Sequence, residues 1–140
     1  MPKPVWWFEK LMWISLLLGI VAFWVRWEAS KAKWGVPDFA MQASIPIGVF
    51  TITVVLVLIF LIARLRQNWA RFVFAALFIL GLPFAVMNLV HNLPDLLSAG
   101  PTAIALWIVQ GALQLAAMVL IYLPGADPWF TKPAEPAQGP

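Results

Sequence analysis

Few residues in this chain have side chains capable of chemistry, and most lie at the ends of apolar runs rather than inside them. Gln110 and Gln114 are the main exception. They are one helical turn apart, on one face, near the centre of a long apolar segment. An amide in hydrocarbon is costly unless hydrogen-bonded, so both should face protein. In a helical hairpin, Gln114 lies about 12 residues and Ile79 about 11 residues from the shared turn, each ~17 Å along the axis. Pro83 cannot bond to the Ile79 carbonyl, so Gln114 is expected to donate to it and fix the pairing. The other use of such a pair is to bind a ligand or line a path.

His91 is the sole histidine, too few for a bis-histidine haem or a three-ligand metal site. With Asn88 and Asp95 it defines a candidate polar site near the end of its segment, for a headgroup or a quinone; the plainer reading is helix-terminal residues meeting interfacial water. Glu9 is the acidic group nearest to the first apolar run. Small multidrug-type transporters also have four helices and a first-helix glutamate. This chain is similar to them only in helix count, and Glu9 reads as an interfacial carboxylate. No Asp, Glu, Lys or Arg falls mid-segment, where proton relays and ion-coupled transporters need them. Cys is absent, which excludes disulfides, thiolate metal sites and c-type haem. No nucleophile, base and orienting group converge, so the expectation is a chain that is not an enzyme, with no cofactor.

These residues are positioned by apolar segments. Of 140 residues, 63% are hydrophobic and 11% charged, and the mean hydropathy of +0.89 points to lipid as the solvent. Four segments of about 20 residues, ~30 Å as helix, suffice to cross a bilayer. They are read at 7–27, 44–65, 72–90 and 101–123. The expected fold is all-α and integral to a membrane, a 1–125 domain of four transmembrane helices in two antiparallel hairpins, with a Pro-rich tail at 126–140. The first run, flanked by Trp6, Trp7, Trp24 and Trp27, is read as a span rather than a cleaved leader. Residues 26–43 are read as a polar connection broken by Gly35 and Pro37, with Ser44 as N-cap of the second helix and Pro46 in its first turn. Asn92 is read as capping a short interfacial helix ended by Gly100. Trp13 is the aromatic inside a span that could line a site.

The central turn carries Arg64, Arg66, Trp69 and Arg71, an anchor that resists crossing a bilayer. Its arginines could bind anionic lipid or an acidic partner; topology alone is the plainer reading. With Lys3, Lys10 and Lys132 they outnumber Arg26, Lys31 and Lys33 on the other side, so both termini are expected in the cytoplasm. Ser15-x-x-x-Gly19, Gly81-x-x-x-Ala85 and Ala112-x-x-x-Ala116 mark close helix approaches. No basic run suggests nucleic acid.

Over residues 64–130 the chain resembles small, uncharacterised bacterial four-helix inner-membrane proteins. The features are Asn68-Trp69-Ala70-Arg71, Leu80-Gly81-Leu82-Pro83, Leu113-Gln114-Leu115 and Leu120-Ile121-Tyr122-Leu123-Pro124-Gly125 followed by Trp129-Phe130. The resemblance implies a fold and a bacterial inner-membrane location and carries no activity. The function expected is that of an accessory or scaffolding subunit, surrounded by lipid and packed against another membrane protein or its own copies. The alternatives are an oligomeric transporter or channel, and a lipid- or quinone-binding protein.

Overall fold

The computed structural model describes residues 1–131; Lys132 and the Pro-rich end of the tail lie outside them. The described chain is helical: α1 (Lys3–Trp34), α2 (Phe39–Ala63), α3 (Asn68–Ser98), α4 (Pro101–Ile121) and the short α5 (Asp127–Thr131). The first four are each long and apolar enough to cross a membrane.

Several boundaries differ from the sequence reading, for local reasons. The segment after Val25 continues α1, because Glu28, Ala29, Lys31 and Ala32 are helix formers and Glu28 pairs with Lys31 at 2.9 Å. Gly35, at φ +80°, ends the helix and donates its N–H to the Lys31 carbonyl. The N-cap of α2 is Asp38, whose carboxylate accepts the Met41 N–H at 2.7 Å, not Ser44. Ser44 lies inside α2 and donates to the Met41 carbonyl, and Pro46 is also interior. α3 passes without interruption through Pro83 and Pro94, so residues 92–98 are its last turns and not a separate interfacial helix. In lipid a helix keeps its form around such prolines because no water competes for the remaining backbone bonds.

The closest helix pair is α1 with α4, not a pair of sequence neighbours. At their contact Gly19 meets Gln110: a Cβ on Gly19 would lie 2.7 Å from the Gln110 Nε2. Ser15, one turn earlier on the same face, is fully buried. Ala103 and Ala117, each seven residues from Gln110, are buried on α4, whereas Ala112 and Ala116 are exposed. Small residues thus bring α1 and α4 together, through Ala103 and Ala117 on the α4 side.

The core gathers at one end. Val5, Phe8 and Met12 meet Leu58, Ile59, Ile62 and Ala63, with Ala70 and Phe74 from α3 and Ala117 and Ile121 from α4. Phe8 and Phe74 stack edge-to-face at 5.5 Å, worth about 1 kcal/mol beyond their area. Across its 31 residues α3 buries only Ala70 and Phe74, both at this end. The bundle is therefore closed at the end holding the arginine turn and opens between α2 and α3 towards the other.

Candidate functional site

At the closed end the arginine turn is a clamp. Arg64 donates to the Glu9 carboxylate at 2.8 Å, and Glu9 is 9% exposed. Arg66 has a left-handed backbone, φ +56°. Its Nε donates to the Trp129 carbonyl at 2.8 Å and its guanidinium lies 4.8 Å from the Trp129 ring centre, contacts that hold a conformation uncommon for any residue with a Cβ. The Trp129 indole N–H reaches the Ile62 carbonyl at 3.3 Å. Arg71 pairs with Asp127 at 2.7 Å among the rings of Phe72, Tyr122 and Phe130. The Tyr122 hydroxyl donates to the Arg71 carbonyl at 2.9 Å. Burial pushes the Tyr122 phenol above its ordinary range, and the Arg71 charge opposes this in part. Trp69, 53% exposed, takes no part in these contacts. The three arginines thus engage Glu9, Trp129 and Asp127 within the chain. Sequence reading missed these partners because they lie 55 to 63 positions away.

Two cavities lie one above the other, the inner between α2 and α3 and the outer among α1, α2 and α3. The inner, of about 390 Å³, is bounded by Phe50, Thr51, Val54 and Leu58 of α2 and by Phe74, Gly81, Leu82 and Ala85 of α3, with Met12 and Gln114 at its back. Its wall is apolar except for Gln114 and Thr51, and the Thr51 hydroxyl is already bonded to the Ile47 carbonyl. Among the described residues Gln114 makes no hydrogen bond, so the expected bond to Ile79 is not formed; Gln114 faces this cavity and Ile79 is 57% exposed. Gln110 faces α1, one turn away. Phe50 (70%) and Leu82 (47%) are exposed at the rim, so the cavity opens sideways.

The outer cavity, about 340 Å³, has a mixed wall in which polar and charged side chains alternate with apolar ones. Arg26, Ser30 and Lys33 of α1, Asp38 and Ser44 near the start of α2, and Asn88, Asn92 and Asp95 of α3 line it, beside Trp107 of α4. Lys33 bridges to Asp95 at 3.1 Å, a strut from α1 to α3. Asn92 donates to the Asn88 carbonyl and side-chain oxygen. The structure thus brings Asn88 and Asp95 to one site but leaves His91 outside its wall, exposed. Trp13, 46% exposed, lines neither cavity.

Both cavities use the same helix faces. On α3 the stripe is Gly81, Ala85, Asn88, Asn92 and Asp95, spaced 4, 3, 4 and 3; small residues give way to polar ones along it. That spacing was visible in the sequence and would have found the site. Among the described residues no three His, Asp or Glu side chains gather as a metal site would require. The chain matches no protein-family model, no curated protein and no solved structure.

Proposed function

We propose that this is a non-catalytic, four-span membrane protein that serves as an accessory or scaffolding subunit, packing against another membrane protein. The observation behind this reading is α3, which crosses the full bundle yet buries only two residues at one end. Leu80, Phe84 and Met87 form an outward stripe on it, 66%, 75% and 68% exposed, and a partner's helix would cover that stripe. The ionisable groups also favour a packing role. Glu9 with Arg64, Arg71 with Asp127 and Lys33 with Asp95 tie helices together rather than converge on a reacting atom. A channel lined by the two glutamines is disfavoured by the contact of Gln110 with Gly19 and by the apolar wall around Gln114. The excess of basic residues at the closed end supports an orientation with both termini in the cytoplasm. The resemblance supports a bacterial inner membrane.

A photo-crosslinking residue at Phe84 tests this, with a second at Trp7 as control. Cross-links from position 84 to one larger membrane protein, in stoichiometric yield, are expected. Cross-links to lipid alone would overturn the reading, and cross-links to a second copy would replace it with a homo-oligomer.

A further inference from the structure

We propose that the seam between α2 and α3 is a binding site for one membrane phospholipid, with its phosphate on Arg26 in the outer cavity and an acyl chain in the inner one.

Charge identifies the headgroup. Four charged side chains line the outer cavity, and three are already engaged: Lys33 with Asp95, and Asp38 with the Met41 N–H. Arg26 has no hydrogen-bond, ion-pair or ring partner among the described residues. Its planar fork of donors suits a phosphodiester, and Ser30 and Asn88 offer further polar atoms on the same wall. Trp24 and Trp27 flank Arg26 in sequence, as residues at headgroup depth do.

The inner cavity suits the chain. It lies on the same faces of α2, α3 and α4 as the outer one, with Asn88 only three residues beyond Ala85. From Asn88 to Phe74 the groove runs ~21 Å along α3, against ~15 Å for half of the hydrocarbon layer. Nothing lies within 4 Å of where a Gly81 Cβ would stand, so the groove has room there. Its side opening at Phe50 and Leu82 faces the place where lipid is found.

The inner cavity is about 390 Å³. A volume of this order is that of a small-molecule site. A free phosphate would leave the apolar half empty.

The test is native mass spectrometry of the full chain released from nanodiscs of phosphatidylethanolamine or phosphatidylglycerol, with diacylglycerol doped into each. One phospholipid per chain should remain bound in both, since both carry the phosphodiester, and diacylglycerol should not. Arg26→Gln should weaken retention roughly tenfold, the loss of one charge-assisted bond. Gly81→Leu, which fills the groove at a position with open space, should do the same with Arg26 intact. Circular dichroism confirms that both variants are folded. No retained lipid, retention of diacylglycerol equal to that of phospholipid, or unchanged retention in both variants would each overturn the site.

Discussion

The Glu9 carboxylate, almost wholly buried in the core of the closed end, accepts a 2.8 Å hydrogen bond from Arg64, whose side chain is 59% exposed. The pair joins the start of α1 to the end of α2 and is asymmetric: one partner has lost its water and the other has kept it. Removing the wet partner is therefore worse than neutralising the dry one. Arg64→Ala strands a buried charge. A fully buried pair would cost more, but solvent at Arg64 screens this one, so about 1–2 kcal/mol of stability is expected to be lost. Glu9→Gln keeps an acceptor for Arg64 and should cost less than Arg64→Ala. Reversible unfolding in mixed micelles measures both; a larger loss for Glu9→Gln would contradict this account.

Gly19 and Gln110 set the distance between α1 and α4. Gly19→Val puts a branched side chain where the Gln110 amide now lies and should destabilise by about 1–3 kcal/mol, the usual range for overpacking. Combining it with Gln110→Ala should recover much of that loss, since the obstacle is a side chain and not backbone. Gly81→Ala, with nothing within 4 Å of its new methyl, should be neutral or slightly stabilising. Thermal unfolding in one detergent compares all three.

Tyr122 is the only tyrosine, so tyrosinate absorbance reports on it alone. Its midpoint should lie above the ordinary value of 10.0. A phenol with a raised folded-state pKa binds its proton more tightly folded than unfolded. Its contribution to stability is thus complete below pH 10 and declines as pH rises through the folded midpoint. The hydrogen bond to the Arg71 carbonyl is lost with the proton. Protease sensitivity of the segment after Tyr122 should rise over that same pH window, and Tyr122→Phe should abolish the pH dependence.

The number of helices and their apolar length were legible in the sequence, because about 20 apolar residues without mid-segment charge permit little else. Gln110 lies against Gly19 of α1, but neither glutamine makes a hydrogen bond among the described residues, so the cost of an amide in hydrocarbon did not name their partners. The pairing of α1 with α4 was not legible, since small-x-x-x-small spacing marks a close approach without naming the partner. Ser44 and Pro46 misled because Asp38, upstream, satisfies the same capping preference: α2 runs from Phe39 with Asp38 as its cap and includes both. The arginine turn was recognised as an anchor, but Glu9, Asp127 and Trp129 are joined to it only by the fold. The two cavities depend on how far α2 and α3 diverge, a distance that no local pattern encodes.

The clamp at the arginine turn also sets an order of events. Arg64 can find Glu9 once the first two helices are in the bilayer, but Asp127 and Trp129 follow α4 in the chain. During synthesis, Arg66 and Arg71 must wait for about sixty more residues, and the bundle is locked only after its last helix has been inserted. A nascent chain halted before Asp127 would lack the carboxylate that pairs with Arg71 and the Trp129 carbonyl and ring that hold Arg66, a visible mark of unfinished assembly.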